Sequence, residues 1–364
     1  MQKGGVNPPF LQFGKIMKKR FLCIVITLLL VISVTFCSCT PRNVKSKYTT
    51  YSMDYFDTVI TITGYENSQA EFDVVANEML SLLGEYHRLY SIYHRFDSLE
   101  NLCTINELVD GVHRTVTVDR RIIDMLLYAK EMYSTTGGVM NIAMGSVLSI
   151  WHEYRTIGKD NPETASLPPI DALKAAAKHT DISKMVIDEV NNTVTLTDPQ
   201  MKLDVGAVAK GYATECVARH LEEKGITGYV LNVGGNVKTI GSKADGTKWT
   251  VGVENPNGND YLAYLQINGQ SVVTSGSYQR FYYVDGKPYH HIIDPNTLMP
   301  ATGYLSVSVL CNDSGLGDAL STALFCLSQQ DGLTLIEKLD NVEAMWVYED
   351  GKKVYSSHWN KYEK

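Results

Sequence analysis

From residue 48 onward the apolar pattern switches between helical and strand periods without settling into a strand–helix–strand rhythm. That irregular interleaving limits the fold most, because a doubly wound parallel sheet needs regular alternation. Apolar residues between Glu71 and Tyr93 fall at helical spacing (Val74, Val75, Met79, Leu82, Leu83, Tyr86, Leu89, Tyr90), which predicts a long amphipathic helix. Ile122–Tyr133 predicts a second helix, stopped by Gly137-Gly138, and Ile170–Lys178 a shorter third. Thr58–Thr63 alternates Val and Ile with Thr and reads as a strand, and Met185–Glu189 with Thr193–Thr197 as a hairpin across Val190-Asn191-Asn192. A helix is expected from about Val208 to Lys224, then a strand at Tyr229–Val233 and a turn at Gly234-Gly235-Asn236. Trp249 to Val309 is β-rich, helices follow over Leu316–Leu327 and Gly332–Leu339, and Ala344–Tyr348 is a late strand. The fold class is therefore α+β, with mixed or antiparallel sheets and packed helices.

The first 38 residues stand apart. Lys18-Lys19-Arg20 precedes an apolar run from Phe21 to Phe36, with Ser38-Cys39 behind it. A basic n-region, a short apolar stretch and small residues at its end describe a secretory signal, with Met17 as an alternative start. About sixteen apolar residues are short for a bilayer crossing. The small Ser38 before Cys39 fits a bacterial lipoprotein cleavage box, with Cys39 lipidated; Phe36 and Cys37 depart from its usual pattern, and an uncleaved anchor is the alternative. Residues 39–47 are then a polar tether, and 48–364 one folded domain held outside the cytoplasm on the membrane.

Charge narrows the partners. The chain carries 33 Lys+Arg against 40 Asp+Glu, and five of those basic groups and no acidic ones lie in the leader. Without it, 28 against 40 leaves a body of net charge −12, which argues against a nucleic-acid binder. Hydrophobic residues at 44% exclude disorder. The seven Cys are scattered, with no C-x-x-C and no zinc spacing, so neither a disulfide framework nor a zinc site is expected.

Three segments carry candidate chemistry. Asp204-Val205-Gly206-Ala207-Val208-Ala209-Lys210 sets a carboxylate, small residues and a Lys at a helix start, where backbone N–H groups favour an anion. It is not a phosphate loop of the G-x-x-x-x-G-K-[ST] kind, and an ordinary strand-to-helix turn has the same look. Asp318 and Thr322, four residues apart, share a helix face and offer oxygen ligands to a hard cation; N-terminal capping is the plainer account. In His290-His291-Ile292-Ile293-Asp294-Pro295 a histidine beside an acidic turn can act as a base near neutral pH. Adjacent strand residues face opposite sides, so at most one of the two histidines enters a given site. The other histidines, His152 among them, read as structural or solvated.

Taken in order, six segments resemble the FAD:protein FMN transferase (ApbE-like) family. They are Met140-Asn141-Ile142-Ala143-Met144-Gly145 with Trp151, Leu203 to Ala213, Asn232 to Asn236, Thr274 to Arg280, His291 to Pro295, and Asp318 to Ala323. The resemblance implies a T-fold-related flavin-transferase architecture. It also implies that FAD is split at its pyrophosphate with Mg²⁺, that FMN passes to a Thr or Ser hydroxyl of an extracytoplasmic electron-transfer protein, and that AMP leaves. Carried over by position, Asp318 and Thr322 hold Mg²⁺ with Ala207 and Ser321. Met53, Asn101, Leu102, Cys103, Met140, Asn141, Asp204, Lys210 and Ile293 contact the flavin nucleotide. His291 is the catalytic base, and Lys210 adds positive charge at the transferring phosphate. Asn141 and Asn236 stand where relatives often have Asp, and Glu100–Asn106 is a loose copy of its counterpart. An FAD pyrophosphatase, in which water replaces the protein hydroxyl, and a non-catalytic flavin-binding lipoprotein remain alternatives on the same residues.

Overall fold

The computed structural model describes residues 45–258 and 260–364. The leader, Cys39 and most of the expected tether lie outside the described residues. The last two tether residues, Ser46 and Lys47, already pair with Glu66 and Tyr65, and Lys45 Nζ reaches Glu66 at 3.0 Å. The domain therefore begins with a strand two residues earlier than expected.

The framework is one eight-stranded sheet whose strands lie side by side in chain order: β1 (Ser46–Ser52), β2 (Ile60–Glu66), β3 (Tyr229–Val233), β4 (Asn236–Ile240), β5 (Ser271–Gly276), β6 (Tyr304–Cys311), β7 (Glu343–Tyr348) and β8 (Lys353–Tyr355). Every neighbouring pair is antiparallel, with Ile60 opposite Val233, Val233 opposite Asn236, and Val273 opposite Val309. The α+β reading holds, and the sheet is wholly antiparallel.

Long excursions leave this sheet and return to it. Between β2 and β3 the chain makes α1 (Gln69–Tyr90), α2 (Arg120–Thr135), α3 (Gly145–Asp160) and α4 (Ala209–Glu223), with a small three-stranded sheet that contains the predicted hairpin. Hairpins over Trp249–Ile267 and Phe281–His290 interrupt β4–β5 and β5–β6, and α5 (Ser314–Cys326) follows β6. Helix α1 ends three residues before Tyr93, and its start is capped by the Ser68 hydroxyl. Sequence reasoning missed α3 altogether.

The side-chain period of two explains how both faces of the later strands are covered. On β7, Ala344 and Trp346 pack under α5, while Met345 and Val347 face the Trp249–Ile267 hairpin and Trp359. On β2, Ile60 and Ile62 are buried with Phe72, Met79 and Leu83 of α1. Helices α1 and α5 therefore lie on the same face of the sheet. Among the described residues no helix is long and apolar enough to cross a membrane. Cys103, Cys216, Cys311 and Cys326 are free thiols.

Candidate active site

A cleft of about 430 Å³ opens where the ends of β4 and β5, the Asp204–Lys210 turn, α3 and the His291–Ile293 segment converge. Its walls include Met140, Asn141, Asp204, Ala207, Lys210, His291, Ile293, Asp318 and Thr322, which come from widely separated parts of the chain. Most of the sequence-predicted site residues are thus brought together in one hollow.

The most closely packed wall described is the contact between α4 and α5. Gly211 sits against α5 so closely that a Cβ there would lie 2.3 Å from the Ser314 carbonyl oxygen and 2.5 Å from Asp318 Cβ. That approach lets the Gly211 N–H donate to Asp318 Oδ2 at 2.8 Å, while Lys210 Nζ lies 3.4 Å from Oδ1. Asp318 is only 4% exposed, so its carboxylate is fixed by a backbone N–H and an ammonium rather than by water. Behind it, Glu215 accepts from the Ser314 N–H at 2.9 Å and pairs with the buried Lys238 at 3.0 Å, tying β4, α4 and α5 together.

Thr322 lies one turn beyond Asp318 on the same face of α5 and, with Ala207, lines the same wall. One carboxylate, one hydroxyl and a backbone carbonyl are hard oxygen donors, and they suit a cation that draws its remaining ligands from water and phosphate. Among the described residues no group of three or more His, Cys, Asp or Glu is gathered to hold a metal ion. Ser321 is placed differently. Its hydroxyl donates to the Asp318 carbonyl at 3.0 Å, shares a 2.8 Å hydrogen bond with Ser275, and has no exposed surface. It braces α5 against β5 and does not face the cleft.

The opposite wall is polar and looser. Asp204 accepts from the Gly206 N–H at 2.9 Å, and its other oxygen lies 3.7 Å from His152 Nε2. The Tyr93 hydroxyl lies 3.1 Å from His152 Nδ1. Burial lowers the His152 pKa more than the Asp204 charge raises it, and burial pushes Tyr93 up to about 12. Asn141 is committed locally, accepting from Ala143 N–H and donating to the Thr180 carbonyl, both at 2.9 Å.

His291 Nδ1 lies 3.2 Å from the Arg280 carbonyl oxygen. A carbonyl only accepts, so the proton belongs on Nδ1 and the Nε2 lone pair stays open. Burial first, then the positive charges of Arg280 and Arg155, hold its pKa down to about 3. The ring is therefore neutral at physiological pH, with an unprotonated Nε2. Its neighbour His290 turns away, with Nε2 2.7 Å from the Ala301 carbonyl and its ring against Phe325. One histidine of the pair, His291, faces the cleft, and it sits just past the strand that ends at His290.

Four expected contacts lie elsewhere. Met53 is 75% exposed and off the cleft. Asn101 is fully buried, and its amide donates to the Arg88 and His94 carbonyls at 2.9 Å while capping the short helix Leu102–Ile105. Leu102 is in the main core, and Cys103 lines a smaller hollow that shares Tyr93, His152 and Asp204 with the cleft. The structure does not bring these side chains to the cleft wall.

Sequence reasoning missed the α3 face, where Met144, Leu148, His152 and Arg155 all line the cleft. Their spacing of 4, 4 and 3 is a helical stripe and is the signal that could have found it. His152 thus belongs to the cleft wall, not to the solvated or purely structural histidines.

The chain is similar to proteins of one known family. The sequence model of the ApbE family matches residues 56–346. An FAD:protein FMN transferase of Klebsiella pneumoniae is 32% identical over 281 residues, covering 74% of this chain and 84% of that protein. One from Treponema pallidum is 33% identical over 304 residues, covering 79% and 80%. Among solved structures, the ApbE protein of Thermotoga maritima superposes with a TM-score of 0.76 at 28% identity, covering 88% of this chain and all of that one.

Proposed function

The chain belongs to the ApbE family, and from that premise we propose that it is an enzyme that transfers FMN from FAD to a Thr or Ser hydroxyl of an extracytoplasmic electron-transfer protein. The observation that carries the reading is the pairing of two features in one cleft. A fixed carboxylate and ammonium, Asp318 and Lys210, stand on one wall, and a neutral histidine with an open Nε2 stands on the other.

In the reaction, the acceptor oxygen forms a bond to the FMN phosphorus, and the bond from that phosphorus to the bridging pyrophosphate oxygen breaks. AMP carries that oxygen and its electron pair away. The hydroxyl proton passes to His291 Nε2, whose orientation is held by the Nδ1 contact to Arg280. Lys210 offers positive charge to the phosphates, and the start of α4 adds the positive end of a helix dipole. Asp318, Thr322 and Ala207 would hold Mg²⁺, which supplies charge neutralisation at the pyrophosphate when bound. The apolar part of the wall, Met140, Met144, Leu148 and Ile293, is suited to a flat aromatic ring. The leader and Ser38-Cys39 support a lipid-anchored body outside the cytoplasm.

The test incubates the full chain with FAD, MgCl₂ and an acceptor domain carrying its Thr, with Asp318→Ala and His291→Ala alongside. In-gel fluorescence and intact mass report covalent flavin. An FMN-sized gain that needs Mg²⁺ and disappears in Asp318→Ala supports the reading. FMN and AMP without any adduct would mean a pyrophosphatase, and bound but uncleaved FAD a carrier.

A further inference from the structure

Two arginines meet at the His291 end of the cleft, and neither has an anionic partner among the described residues. Arg155 is half-buried and makes no ion pair there. Arg280 is exposed, and its Nη2 donates to the Asp57 backbone carbonyl at 3.2 Å, a contact that is not an ion pair. Packing forces them together. Gly158, one turn beyond Arg155 on α3, would place a Cβ 2.6 Å from the Tyr282 ring, so the helix lies directly on the strand that Arg280 leads into.

The groups around Arg155 do not neutralise it. Tyr93 and His152 are uncharged at neutral pH, and Asp204 already accepts from Gly206 and faces His152. Burial and the neighbouring Arg280 push the Arg155 guanidinium below its usual range; Arg155, Arg280 and Lys210 are matched in number by Asp57, Asp204 and Asp318 around the cleft, but neither arginine forms an ion pair with them. Two guanidinium groups with free donor edges match a phosphate far better than a surface charge needs to.

We propose that Arg155 and Arg280 clamp a phosphoryl group of the bound dinucleotide from the His291 side, opposite Lys210 and Asp318. The inference rests on the FMN-transfer reading, because that reading supplies the phosphates. It adds a second set of donors to the pyrophosphate and assigns α3 a binding role.

The experiment titrates the full-length wild-type chain, Arg155→Gln, Arg155→Lys and Arg280→Gln with FAD, FMN, AMP and riboflavin, at low and high salt. The expected result is a loss of about tenfold or more in FAD affinity for Arg155→Gln, as a charge-assisted hydrogen bond is removed. Riboflavin, which has no phosphate, should change less than twofold. The salt dependence of FAD binding should flatten in the Gln variants and persist in Arg155→Lys, which keeps charge but not the fork. FMN and AMP locate the clamped phosphate by which of them weakens with FAD. Equal losses for FAD and riboflavin would overturn the proposal in favour of a structural role. So would unchanged FAD binding with a raised KM for the acceptor, which would assign the anion to that protein. Arg280 is exposed, so its variant tests the idea even if Arg155→Gln folds poorly. A wild-type chain that fails to bind FAD would sink the parent reading as well, and is distinguished by failing before any substitution is made.

Discussion

The two walls of the cleft are built on opposite principles. Around Asp318 the backbone itself makes the site: α4 and α5 touch at Gly211, and the carboxylate is reached by a main-chain N–H. Around His291 long side chains and a hairpin make it, with Arg280 exposed and His291 held by one carbonyl contact. A wall of touching backbones cannot adjust, whereas one of long side chains can follow a ligand or an incoming protein. The rigid wall suits the phosphates, whose geometry is fixed. The adaptable wall suits a step in which a second macromolecule must approach.

The most severe way to break this contrast is Gly211→Val. Its side chain would have to enter the space of the Ser314 carbonyl and Asp318 Cβ, so α5 must shift away. We expect overpacking to cost at least about 1–3 kcal/mol, and activity to fall as far as in Asp318→Ala although no functional group is lost. Thermal melting and covalent flavin transfer measured on the same sample check both parts. A stable variant with full activity would show that the two helices are not held as rigidly as their contact suggests.

His291→Gln tests the other wall. Gln keeps a hydrogen-bonding side chain of similar reach but has no basic nitrogen at neutral pH. Transfer should slow by about a hundredfold or more, the usual weight of a positioned base, with FAD affinity nearly unchanged. The melting temperature should move little. Single-turnover transfer and FAD titration separate the two effects, and a parallel loss of binding would make His291 a ligand contact instead.

The rigid wall was legible in the sequence; of the adaptable one, Asp204 and His291 were legible and the α3 stripe was not. Asp318 and Thr322 share a helix, and Ala207 and Lys210 lie in one short turn, so local spacing was enough to single them out. Their meeting at Gly211 joins residues 107 positions apart and leaves no local signal. On α3 the cleft stripe runs from Met144 and Leu148 into His152 and Arg155. A face that is apolar at one end and charged at the other dilutes hydrophobic periodicity, so the helix itself went unseen. The polar edge strand β1, Ser46–Ser52, escaped for a related reason: its alternation has few apolar residues to display. Asn101 shows the converse error. A polar residue in a motif-like position is spent on two carbonyls and a helix cap, so chemistry that looked available is committed to the fold.

That commitment gives a third and smaller prediction. Asn101→Ala leaves the carbonyls of Arg88 and His94 without their shared donor and removes a capping box. The expected cost is about 1–3 kcal/mol of stability. Chemical denaturation is the direct measurement. Asn101→Asp, which keeps the cap acceptor but loses both donated bonds, should recover only part of it. Full recovery would mean that the cap, not the two carbonyls, is what the residue supplies.

The mildest test sharpens the comparison through pH. Burial lowers the pKa values of His291, His152 and His290, most of all at His291, to about 3 against an unfolded value of 6.5. Between those values the unfolded chain binds more protons than the folded one, so unfolding draws protons and stability falls as pH falls. Stability from these groups is complete above about pH 6.5 and drains away toward pH 3. Asp198, Glu78 and Glu100, whose carboxyl pKa values lie below their usual range, add losses of the same sign, but only at the acid end of that window. The interval from about pH 6.5 to 5 therefore belongs mainly to the histidines. Melting temperatures across it should decline in the wild type and decline less steeply in His291→Gln. If the two slopes coincide, the His291 ring is solvated in solution, and the adaptable wall is more open than its packing indicates.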